Sequence, residues 1–137
     1  MIYLKNYING ALISPKSERY IDNYNPSTGE VYAQIPDSDL NDVNTAVEAA
    51  SNAFDKWSNT SKDERSKILY KIADLIEQNL DKLAEAESID NGKPLSLAKR
   101  VDIPRAAHNF RFYATAITHY SSESHHMEDQ AVNFTHR

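Results

Sequence analysis

SKDERSKILYKIADLIEQN, residues 61–79, is the stretch on which the fold turns. Ser61 and Glu64 stand at the capping-box spacing, where a serine and a glutamate answer each other's backbone amides at a helix start. Behind them Ile68, Leu69, Ile72, Leu75 and Ile76 recur at three- and four-residue steps and draw one apolar stripe. A helix with such a stripe has to lay it against another element, so its partners set the architecture.

Working outward toward the N-terminus, Val43, Ala46, Val47, Ala50, Phe54 and Trp57 stripe an earlier helix over four turns. Before it lies a β-rich arm. Tyr7 to Ile13 reads as strand–turn–strand around Asn9-Gly10, a strong hairpin dipeptide. Residues 20–24 and 30–35 read as two more strands, joined by Asn25-Pro26-Ser27-Thr28-Gly29, with proline early and glycine late as a tight turn requires. Pro36 closes the arm.

Toward the C-terminus a third helix starts near Asp81, and Gly92 with Pro94 supplies its stop. A fourth spans roughly residues 95–120, with Pro104 as a kink or restart. The segment SSESHHMEDQ, residues 121–130, is polar and reads as a loop that holds His125 and His126 as solvated residues. It leads into AVNFTHR, residues 131–137, which alternates like a half-buried strand and has no partner in sequence. A strand needs a neighbour for its backbone groups, so the expectation is that the polypeptide continues.

Composition narrows the function. The 137 residues carry 40% hydrophobic and 26% charged residues with a net charge of −5, and no basic face invites nucleic acid. No apolar run approaches the roughly 20 residues of a membrane span. MIYLKNYING lacks the layout of a signal peptide, which leaves the cytoplasm as the expected compartment. There is no cysteine, hence no disulfide and no thiol nucleophile within these residues. Three glycines, isolated in turns, cannot build a phosphate-cradling loop.

The fourth helix has two faces. Ile103, Ala107, Phe110, Ala114 and Ile117 fall together as a core face at about 100° per residue. Val101, Arg105, His108 and Phe112 fall opposite. Either the helix packs on both sides with Arg105 snorkelling to water, or this face lines a cavity with Arg105 aimed at an anionic ligand.

The order of Asn9-Gly10, NPSTGEV (25–31), AFDKW (53–57), KDERSKIL (62–69), ADLIEQN (73–79), AESIDNGKPL (86–95) and FRFYA (110–114) resembles the opening of the aldehyde dehydrogenase superfamily, in sequence and at matching spacings. DIPRAAHNFRFYA (102–114) followed by SSES (121–124) is most similar to the branch acting on 2-aminomuconic semialdehyde. The resemblance implies an α/β fold of which this is the N-terminal portion. Residues 1–120 would be the first part of a cofactor-binding domain, with a β-arm (1–36) and a helical block (37–120). Residues 121–137 would begin the oligomerisation β-arm of a homo-oligomer.

The same resemblance implies NAD as cofactor and an aldehyde as substrate. In such enzymes a cysteine thiolate attacks the aldehyde, hydride passes to the nicotinamide, and a glutamate-activated water hydrolyses the thioester. None of those catalytic or cofactor-binding groups lies in this chain, which by itself should be inactive. Two sites do carry over. Arg105 matches the arginine that holds the substrate's carboxylate in the semialdehyde branch. Asp90, with the backbone carbonyls of Asn23 and Tyr24, matches a monovalent-cation site; the alternative is that Asp90 braces the helix end. A different reading of the whole is a natural truncated product that binds full-length subunits through its strand arm.

Overall fold

The computed structural model describes residues 1–135. Seven strands and five helices follow in order: β1 (Ile2–Tyr3), β2 (Asn6–Ile8), β3 (Ala11–Ile13), β4 (Tyr20–Asn25), β5 (Glu30–Pro36), α1 (Leu40–Ser58), α2 (Lys62–Gln78), α3 (Leu80–Asn91), α4 (Leu95–Leu97), α5 (Ile103–His119), β6 (Glu123–Met127) and β7 (Ala131–Thr135). A π-helical turn, Ala98–Asp102, joins α4 to α5.

The arm forms as its turn chemistry requires. β2 and β3 pair antiparallel across Asn9 (φ 51°) and Gly10 (φ 80°), both in the left-handed region that a tight hairpin turn demands. β5 is the centre of a three-stranded sheet, antiparallel to β4 and parallel to the short β1, which sequence patterning did not reveal. The β4–β5 register slips once: Asn23 faces Ala33 but Tyr24 faces Val31, so Tyr32 is an extra residue on β5. Such a bulge re-aims the side chain at its centre.

Both long helices open on reciprocal caps. Ser61 and Glu64 form the expected box at α2. Asp39 and Asp42 form a second at α1, where the buried Asp42 also accepts the amide of Lys16. The main packing is α2 against α5, with Ala73, Ala107 and Ala114 fully buried and Ser66 Oγ donating to the Ala114 carbonyl at 2.8 Å. α3 ends on Gly92 at φ 76°, and a Cβ there would meet Pro26 Cβ at 3.0 Å. The stop of α3 is thereby seated on the β4–β5 turn.

The helix expected over residues 95–120 is interrupted at Pro104 as anticipated, and the interruption takes the form of the π-helical turn. Pro104 has no amide to offer the carbonyl of Arg100, and the chain widens before it, with Ile103 N–H bonding back five residues to the Ala98 carbonyl. Residues 121–130 are not a loop: β6 lies within them and pairs antiparallel with β7, so the final strand does have a neighbour in sequence. His125 and His126 are strand residues. Both strands are exposed throughout, which is why no apolar alternation marked β6. His136 and Arg137, the last residues of the anticipated strand, lie outside the described residues.

The core is thin. Among the described residues the fully buried apolar side chains are small ones, alanines and Pro15, while Phe54, Trp57, Phe112 and Tyr113 are exposed. The chain presents 10468 Å² to solvent. A compact monomer of 15.5 kDa presents about 7,200 Å². The stripe of α1 accounts for part of the surplus: Val43, Val47, Phe54 and Trp57 are all open to solvent.

Candidate functional site

The first candidate locus lies where α3 meets the sheet. Asp90, on the last turn of α3, accepts on Oδ1 from the Tyr32 hydroxyl at 2.7 Å and from Asn23 Nδ2 at 3.0 Å. Asn23 Nδ2 also lies 2.9 Å from the Tyr32 oxygen, closing a three-residue cluster. The Tyr32 bond, then the Asn23 bond, hold the Asp90 carboxyl below its ordinary value, and the same contact with Asp90 pushes the Tyr32 phenol up. This arrangement keeps an ionised carboxylate beside a bulged strand. Asn23 enters through its side chain, and Tyr24 is exposed on β4. Tyr32 was not anticipated, because the bulge breaks the period-two alternation that would have placed its side chain.

The second locus is the outer face of α5. The core face is as expected, with Ala107 and Ala114 buried and Ile103, Phe110 and Ile117 half-buried. Val101, Arg105, His108 and Phe112 are exposed, with Phe112 edge-on to the neighbouring Tyr113 ring. The Arg105 side chain is 66% exposed and its Nη2 donates to Asp102 Oδ1 at 3.2 Å. Asp102 is itself held by Lys93, whose Nζ lies 2.7 Å from Asp102 Oδ2 and 3.1 Å from Glu87 Oε1. Spacing alone did not bring Lys93 and Glu87 to this helix. Nearly two turns further along α5, Arg111 bonds Asp74 at 2.7 Å and Glu77 through both its carboxylate oxygens, tying α5 to α2.

The glycines offer no dinucleotide cradle. The Cβ positions of Gly10 and Gly29 face open space, and that of Gly92 faces Pro26. Among the described residues no group of three His, Cys, Asp or Glu side chains converges as a metal site, and no helix is long and apolar enough to cross a membrane.

Residues 12–137 match the aldehyde dehydrogenase family model, and the chain belongs to that family. It is 49% identical over 128 residues to the 2-aminomuconic semialdehyde dehydrogenase of Bos taurus and 47% identical to that of Homo sapiens. Each match covers 93% of this chain and 26% of the relative. The NAD+ complex of an aldehyde dehydrogenase from Bacillus cereus superposes with a TM-score of 0.87 at 34% identity, over 96% of this chain and 27% of that one. The chain thus spans about a quarter of the length of the relatives it matches, aligned with the N-terminal portion of an aldehyde dehydrogenase fold.

Proposed function

We propose that this chain is the N-terminal part of a cytoplasmic, NAD-dependent aldehyde dehydrogenase that oxidises a carboxylate-bearing semialdehyde, such as 2-aminomuconic semialdehyde, to the acid. Residues 1–120 supply the β-arm and helices on one side of the cofactor-binding domain, and residues 121–137 begin the arm through which identical subunits associate. The exposed apolar stripe of α1 and the surplus of surface support this reading, since a larger fold would cover both. NAD, when bound, supplies the hydride acceptor. The thiolate and its partner base are supplied from outside this chain, which has no cysteine.

What this chain contributes is substrate recognition, and the observation that carries it is the open guanidinium of Arg105 on the outer face of α5. Its planar fork suits a carboxylate, and a charge-assisted hydrogen bond of about 1.5–3 kcal/mol is worth roughly 10–100-fold in binding. In the polypeptide that carries this chain, Arg105→Ala is expected to raise KM for carboxylate-bearing aldehydes and to spare neutral ones. Equal losses on both would contradict the assignment.

We also propose that Asp90 and the carbonyls of Asn23 and Tyr24 hold a monovalent cation. The ionised carboxylate beside a β-bulge supports this, as oxygen ligands suit a hard ion. Potassium or sodium should then raise the melting temperature at constant ionic strength, and Asp90→Ala should abolish the effect. If neither ion does so, Asp90 is a brace alone.

A further inference from the structure

We propose that Asp102 is a positioning residue for Arg105, with Lys93 as its anchor, so that the relay Lys93–Asp102–Arg105 sets both the aim and the effective charge of the substrate-binding guanidinium. The inference rests on the Arg105 reading above and extends it to two residues that touch no substrate.

The geometry is that of a shared carboxylate. One oxygen of Asp102 takes Lys93 Nζ at 2.7 Å and the other takes Arg105 Nη2 at 3.2 Å. The Asp102 side chain is only 16% exposed, whereas that of Arg105 is 66% exposed. The well-held partner is therefore the carboxylate, and the arginine is the group being aimed. Lys93 is in turn gripped by Glu87, and contact with Asp102 first, then with Glu87, raises its pKa and keeps the ammonium charged.

The backbone beneath the relay is constrained. Asp102 is the last residue of the π-helical turn, and Pro104 stands between it and Arg105 with its φ fixed by the ring. π-turns of this kind occur often at functional sites. No other hydrogen bond of the Arg105 guanidinium forms among the described residues, which leaves the rest of its fork open to a ligand.

Charge balance explains the second cation. Glu87, Lys93, Asp102 and Arg105 together sum to zero. Without Lys93 the cluster would carry one net negative charge and repel the carboxylate that Arg105 is there to hold.

The test measures the ratio of kcat/KM for a carboxylate-bearing aldehyde to that for a neutral aldehyde of equal length, using the longer enzyme polypeptide. A variant that merely misfolds loses both activities together, so the ratio is read only on variants that retain activity on the neutral aldehyde. Asp102→Ala leaves the cluster with one net positive charge, which by itself would favour a carboxylate, so the expected fall in the ratio of about 3–10-fold reads the lost aim. Asp102→Asn, which keeps an acceptor oxygen, should recover part of the loss, and Lys93→Met should lower the ratio as well. In an Arg105→Ala background, Asp102→Ala should change the ratio no further. If Asp102→Ala shifts the ratio equally with and without Arg105, or leaves it unchanged while Arg105→Ala lowers it, the positioning role is wrong and the Arg105 reading stands. If Arg105→Ala itself leaves the ratio unchanged, both fall.

Discussion

The hydroxyl of Tyr32 donates to Asp90 Oδ1 at 2.7 Å across 58 residues of chain, pinning the last turn of α3 to the centre of the sheet. The contact exists because β5 carries one residue more than β4 opposite Asn23, and the extra residue is Tyr32.

Tyr32→Phe removes this bond. Because Asp90 is exposed, the loss should be about 1 kcal/mol or less. The pH dependence has a definite sign. Asp90 is depressed in the folded chain, so its contribution is complete above the ordinary aspartate value of 3.8 and is lost as pH falls through the lower folded value. Tyr32 is raised, so its contribution is complete below 10.0 and is lost as pH climbs through the higher folded value. The gap in melting temperature between parent and Tyr32→Phe should be widest between these limits and should close below pH 3.8. A gap that widened in acid would refute this.

Gly92→Ala places a Cβ at φ 76° and 3.0 Å from Pro26. Strain and contact act together, and the cost should be at least about 1 kcal/mol. Gly29→Ala, at φ 71° with open space around it, shares the strain but lacks the contact. Thermal melts of the two variants should therefore differ, with Gly92→Ala the less stable.

Ala114→Leu forces a larger side chain into the α2–α5 seam, where Ala114 is fully buried and its carbonyl accepts from Ser66. Overpacking of this kind costs about 1–3 kcal/mol. Denaturant midpoints should fall accordingly, whereas Asn109→Leu, at an exposed position of α5, should be far milder.

Arg111→Gln should lower stability by unfastening α5 from Asp74 and Glu77. Because these groups face solvent, the loss should shrink as salt rises from 0.01 M toward 1 M, where the Debye length falls from about 30 to about 3 Å. A salt-independent loss would mean that the arginine acts through packing of its stem.

The local rules read the hairpin at Asn9-Gly10, the Ser61/Glu64 cap, the Gly92 stop and the core face of α5, because each depends on neighbours within a few residues. Other features escaped them for physical reasons. β6 is polar on both faces, so no alternation marks it. Tyr32 owes its aim to a bulge, which a period-two pattern cannot anticipate. Lys93, held by Glu87, reaches Asp102 only through the turn after α3. Arg105 was legible as an arginine on an unusual face, but its tether to a buried-side carboxylate was not. Pro104 announced an interruption, and the widening to a π-turn came with the backbone.

A longer dehydrogenase polypeptide that carries this chain is the central expectation. The direct measurement is the intact mass of the endogenous protein, captured through an antibody to SIDNGKPLSLAK, residues 88–99. A polypeptide about four times the 15.5 kDa of these residues is expected, given the 26% of its relatives that they span. A native mass near 15.5 kDa would contradict the account and leave a cysteine-free product that acts by binding.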